Sequence, residues 1–191
     1  MINSLTVYCG ANLGNDPRIV DAAKQFGQQM ANNKISLVYG GGRFGIMGTI
    51  ARSVLDNGGA VHGVITTELR DRGTALAGLT TSEVVPSMDV RKRQLMALSD
   101  GMVAFPGGVG TLEEISQAAS WTSIGDNRKP VAFYNFEGYY DPLDEMFHRM
   151  YKKGFLERSY LDSLFFTDNF DQLISFMDHY HAPDYRHYQA K

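Results

Sequence analysis

Short apolar, β-branched runs alternate with longer amphipathic stretches along nearly the whole chain, and glycines cluster where several of the short runs end. This alternation limits the fold more than any other feature. Leu5 to Cys9, Ile35 to Tyr39, Ala60 to Ile65, Glu83 to Val85, Met102 to Phe105, Val131 to Tyr134 and Leu164 to Thr167 read as strands. Between and after them, Arg18 to Asn32, Gly45 to Asn57, Met88 to Ser99, Thr111 to Ile124, Pro142 to Lys153 and Phe170 to Tyr180 carry helical spacing. Thr66 to Thr81 reads as a polar loop, and Ala182 to Lys191 shows no periodicity. Strand and helix in turn predict an α/β fold: a Rossmann-like, doubly wound parallel sheet in three α/β/α layers. No linker, repeat or low-complexity segment interrupts the chain, so one domain is expected over residues 1–191.

Open sheets of this kind bind ligands beyond the carboxyl ends of their strands. The glycines stand there, at Gly10 and Gly14, at Gly40, Gly41 and Gly42, and at Gly107, Gly108 and Gly110. The last cluster lies in Phe105-Pro106-Gly107-Gly108-Val109-Gly110-Thr111-Leu112-Glu113-Glu114. Here a strand ends, the backbone is bared and a helix begins. Unpaired N–H groups and the positive end of the helix dipole suit an anion, above all a phosphate. No lysine follows the glycines, so the triphosphate-binding loop pattern is absent. Thr111 and Glu114 also have the spacing of a capping box, a reading that needs no ligand.

Two further segments converge on the same reading. Met88-Asp89-Val90-Arg91-Lys92 opens a helix, and Arg91 could fork onto a phosphate, a ribose hydroxyl or a carboxylate such as Glu114. The plainer alternative is a solvated basic face shared by Lys92 and Arg93. Gly40, Gly42 and Gly45 fit G-x-G-x-x-G after a strand, which raises a dinucleotide site. The acidic residue such a site wants near the next strand's end comes late, at Glu68, so a second glycine wall around one ligand is the better reading.

Composition removes other classes. With 18 basic and 21 acidic residues the net charge is -3, which offers no field for nucleic acid and no membrane-binding patch. A single cysteine, Cys9, forbids an intrachain disulfide and suggests a reducing compartment; with no apolar run near about 20 residues, a cytoplasmic protein is expected. Cys9 reads as a small buried residue. His179 and His181 lack ligand-spaced partners, so no metal is expected.

Together these segments resemble the LOG ("lonely guy") family of cytokinin riboside 5'-monophosphate phosphoribohydrolases, long labelled lysine decarboxylases. The family's P-G-G-x-G-T-x-x-E motif matches Pro106, Gly107, Gly108, Gly110, Thr111 and Glu114. Its arginine–lysine pair matches Arg91 and Lys92, and its G-G-G-x-x-G-x-M-G segment matches Gly40 to Gly48. The resemblance implies hydrolysis of a nucleoside 5'-monophosphate to free base and ribose 5-phosphate, a homodimer and no cofactor. It implies Arg91 and Glu114 as the catalytic pair. Gly41, Gly42, Met88, Lys92, Gly107, Gly108, Gly110 and Thr111 would bind substrate. Two positions depart from the family's pattern, Ala11 where a serine is usual and Ser123 where a glutamine is usual. A decarboxylase would need pyridoxal phosphate on a lysine, and none of the seven lysines stands at a glycine-lined strand end. The remaining alternative is a carrier or sensor that binds a nucleotide without cleaving it.

Overall fold

Strands that bury both faces need helices on both sides, and the chain supplies them in strict rotation. The computed structural model describes residues 1–184, so the part of the Ala182 to Lys191 tail from residue 185 onward lies outside the described residues. The order is β1 (Ser4–Tyr8), α1 (Pro17–Asn32), β2 (Ser36–Tyr39), α2 (Gly45–Asp56), β3 (Val61–Thr66), α3 (Thr67–Asp71), β4 (Thr81–Val85) and α4 (Met88–Ala97). It continues with β5 (Gly101–Ala104), α5 (Val109–Ile124), β6 (Val131–Tyr134), α6 (Asp141–Lys152), α7 (Arg158–Leu161), β7 (Leu164–Thr167) and α8 (Phe170–Asp178). All strand pairs are parallel, in the order β4-β3-β2-β1-β5-β6-β7. The expected three-layer α/β fold is therefore present.

Side chains alternate across the sheet as the pleat requires. Leu5, Val7 and Cys9 face α1, α2 and α8, with Phe26 of α1 packed among Phe105, Tyr134 and Phe170 at 5.0–5.5 Å between ring centroids. Tyr8, Val38, Val64 and Ala104 face α4, α5 and α6. Thr6 also faces this second layer, where its hydroxyl donates to the Leu95 carbonyl at 2.6 Å and lies 2.9 Å from Ser99 Oγ; its burial therefore leaves no polar group unmet.

Helix starts follow local chemistry. Asp16 caps α1 by accepting from the Arg18 amide at 3.0 Å, with Pro17 at the first helical position, where its missing N–H costs nothing. Ser87 caps α4 and Asn169 caps α8 in the same way. Lys129 closes the other end of α4, donating to the carbonyls of Met96 and Ala97.

The sequence reading missed three short helical segments. Thr66 to Thr81 contains the short helix α3, capped by Thr66. Its return limb pairs with the second glycine segment: the Arg43 amide donates to the Thr74 carbonyl, and the Leu76 amide to the Gly41 carbonyl. A helical turn at Phe136–Gly138 and the four-residue α7 are also present. All three are too short to show a helical period.

Candidate active site

Reversal of strand order is what opens a crevice in such a sheet. Here β1 runs outward to β2 on one side and to β5 on the other, so the loops that follow β1 and β5 diverge. Between them lies a cavity of about 730 Å³, walled also by the end of β2 and the first turns of α2, α4 and α5.

Arg91 enters from α4 and is held rather than free. Its Nε donates to the Val64 carbonyl at 2.9 Å and one Nη to the Gly40 carbonyl at 3.1 Å. The other Nη points to Met88 Sδ, 3.2 Å away, and lies 3.7 Å from Glu114 Oε1. The solvated-basic-face alternative fails for this residue, which is 7% exposed. Gly40 makes the arrangement possible, since a Cβ there would fall 1.9 Å from the guanidinium.

Glu114 comes from α5. Its side chain is 16% exposed and, among the described residues, its carboxyl accepts no hydrogen bond from a main-chain amide. The capping-box reading of Thr111 and Glu114 is therefore corrected. The helix begins two residues earlier than expected, with Gly108 at the cap and Thr111 already in the first turn. Burial pushes the Glu114 carboxyl up to about 7; Arg91 pulls it down, Glu113 adds to the rise and Lys92 opposes it. The cost of removing water exceeds the pull of one guanidinium that does not reach hydrogen-bond distance.

The start of α5 has no side-chain cap. Its first-turn amides therefore keep their hydrogen-bonding capacity for something else. Added side chains at Gly108 and Gly110 would meet nothing within 4 Å, whereas one at Gly107 would strike Thr111 Oγ1 and the Gly10 amide. Gly107 is thus required by packing, and Gly108 and Gly110 leave room that the protein does not fill. Tyr139 fixes the turn, its hydroxyl donating to the Gly107 carbonyl at 2.5 Å.

Gly42, Met88, Gly107, Gly108, Gly110 and Thr111 line the cavity along with Arg91 and Glu114; Gly41 and Lys92 do not. Gly41 packs on Ile65 and accepts from Leu76. Lys92 is turned to Glu113, 2.6 Å away. Glu113 also lines the cavity, with its side chain half exposed. The dinucleotide reading loses its acid: Glu68 is exposed and paired with Arg72.

Comparisons with known proteins bear on this site. The family model described as "Possible lysine decarboxylase" matches residues 47–177. A chain from Oryza sativa subsp. japonica, named "Probable cytokinin riboside 5'-monophosphate phosphoribohydrolase LOGL1", is 38% identical over 176 residues, covering 92% of this chain and 79% of the relative. Cytokinin riboside 5'-monophosphate phosphoribohydrolase LOG1 of Arabidopsis thaliana is 36% identical over 152 residues, 80% of this chain and 71% of the relative. The chain belongs to the LOG family. Among solved structures, the molybdenum cofactor carrier protein of Chlamydomonas reinhardtii superposes with a TM-score of 0.68 at 16% identity, covering 93% of this chain and 97% of that one. That likeness concerns the fold alone.

Of the two departures from the LOG pattern, Ala11 lines the cavity and Ser123 does not; Ser123 bonds its own helix at the Ser120 carbonyl. Sequence reasoning from the LOG motifs missed several wall residues: Asn12, Leu13, Phe44, Leu69, Thr74 and Tyr139. Phe44 stood inside a quoted motif, as one of its unassigned positions. Leu69 lies on α3, which is too short to show a period, and the others lie on loops whose course no periodicity announces.

Proposed function

We propose that this LOG-family chain hydrolyses the N-glycosidic bond of nucleoside 5'-monophosphates, AMP or cytokinin riboside 5'-monophosphates, to free base and ribose 5-phosphate. The observation that carries the reading is the secluded Glu114 carboxyl, set beside Arg91 and one helical turn beyond the open amides of α5. A phosphate dianion on Gly108, Gly110 and Thr111 would gain the amide donors and the helix dipole. Held there, it anchors the sugar and turns binding energy into orientation of the anomeric carbon. As the bond to the base breaks, positive charge grows on the sugar. An ionised Glu114 stabilises that charge and takes a proton from the attacking water, whose oxygen bonds to the anomeric carbon, while the base leaves with the bonding electron pair and takes up one proton to become the free base. Arg91, fixed by two carbonyls, presents its remaining N–H donors toward the ribose and phosphate. The names of the relatives support the substrate class. The absence among the described residues of a helix long and apolar enough to cross a membrane accords with a cytoplasmic enzyme. The exposed apolar side chains of Val90 on α4, Leu98 just beyond its end, and Leu112 and Ile124 on α5 support a homodimer formed through these two helices.

Incubation of purified protein with AMP, followed by chromatography, should yield free adenine and ribose 5-phosphate in equal amounts. Tight binding of AMP with no adenine released would instead identify a carrier.

A further inference from the structure

Phe44 breaks the local rule for its position. It caps the start of α2, where a short polar side chain is the stabilising choice, and it makes no capping hydrogen bond. Nor is it buried: it is 51% exposed, on the wall of the active-site cavity. A large aromatic that neither caps nor packs marks a place where local stability has been given up for something else.

The segment that carries it is fixed from several sides. The Arg43 amide donates to the Thr74 carbonyl at 2.8 Å, and the Arg43 carbonyl accepts from Arg52 at 3.0 Å. Gly45, with φ of +61°, lies so close to the Ala11–Asn12 backbone that a side chain there would come within about 2.2 Å of it. The ring itself is backed by a guanidinium, with Arg43 Cζ 4.6 Å from its centroid. The result is an aromatic ring held by its backbone on the wall of a cavity that is also lined by Arg91, Glu114 and the glycines at the start of α5.

Building on the hydrolase reading, we propose that Phe44 is the platform on which the substrate's base stacks, with Arg43 on the far side of the ring. Every base offers a π-face, and an aromatic side chain recognises it without hydrogen bonds. Arg43 spans the back of the ring as a cation over its quadrupole and keeps the plate from turning. Recognition of the nucleotide is then divided in two: the start of α5 takes the phosphate, and Phe44 takes the base.

The test compares AMP with ribose 5-phosphate, which has the same phosphate and no base. Calorimetry on the Glu114→Gln protein, whose lowered turnover should leave AMP intact long enough to titrate, sets the reference affinities. Adding Phe44→Ala should weaken AMP binding roughly tenfold and leave ribose 5-phosphate unchanged. Phe44→Trp should restore AMP affinity, and its fluorescence should be quenched by AMP but not by ribose 5-phosphate. Equal loss for both ligands in Phe44→Ala, or no loss for either, overturns the platform while leaving the hydrolase reading in place. Failure of the reference protein to bind either ligand overturns both.

Discussion

Glu114 owes its chemistry to a balance of opposed effects at one carboxyl. Burial favours the neutral acid, and Arg91 favours the carboxylate without fully restoring it, which leaves the group titrating at about 7. Because the native-state value is raised above that of the unfolded chain, this carboxyl favours the fold below about pH 4.5, and that contribution is lost as the pH rises through 7. Glu114→Gln should therefore unfold at higher denaturant than wild type at pH 8, with the gap closing by pH 4. In activity the sign is reversed, since the ionised form does the work. The kcat/KM profile should rise through about pH 7, and Glu114→Gln should flatten that limb and lower turnover by about 10²–10⁴-fold. Wild-type turnover in the variant would remove Glu114 from the mechanism. Gly40 is the other decisive residue. A methyl group there collides with the Arg91 guanidinium. Gly40→Ala should cost about 1–3 kcal/mol in denaturant unfolding and most of the activity. Gly42→Ala, which meets only the flexible end of Met47, should cost less on both counts. Arg91 and Glu114 were recognisable from the spacing of their motifs; the reason for Gly40 was not, because its contact is with a residue 51 positions away.

At the scale of the element, α5 concentrates the site. It begins on bare glycine backbone without a side-chain cap, and its first turns carry Thr111, Glu113 and Glu114 along one wall. Gly108→Ala and Gly110→Ala add a methyl to open space, so thermal midpoints should stay close to wild type. Affinity for ribose 5-phosphate should nonetheless fall, by about tenfold where the methyl occupies the phosphate position. An unchanged affinity in both variants would move the phosphate elsewhere. The existence of α5 was plain from its helical period, but its start was misplaced by two residues. That shift decides whether Thr111 caps the helix or stands inside its first turn. α3 went unseen because one turn of helix has no period to detect, and the role of its segment emerges only through the bond the Thr74 carbonyl accepts from the Arg43 amide and the bond the Leu76 amide donates to the Gly41 carbonyl.

At the scale of the molecule, the reversal of strand order between β1 and β5 creates the cavity, and the layers on either side hold its walls apart. The helices α4 and α5 leave several apolar side chains exposed, among them Val90, Leu112 and Ile124, with Leu98 just beyond the end of α4. Light scattering coupled to gel filtration should give about twice the chain mass. Leu98→Glu combined with Ile124→Glu should give monomers, since a charge buried against an apolar partner face is not solvated. A monomeric wild type would leave those side chains without their proposed role.

Local chemistry written into the sequence was enough to determine the strands, the long helices, the parallel three-layer fold and the placing of glycine clusters beyond the strand ends. Periodicity and turn residues act over a few positions and need no distant partner. Only the tertiary structure decided the proton affinity of Glu114, the clamp on Arg91, the turning of Lys92 away from the cavity and the placement of Phe44 on its wall. Each of these depends on water excluded, or space filled, by residues far away in the chain.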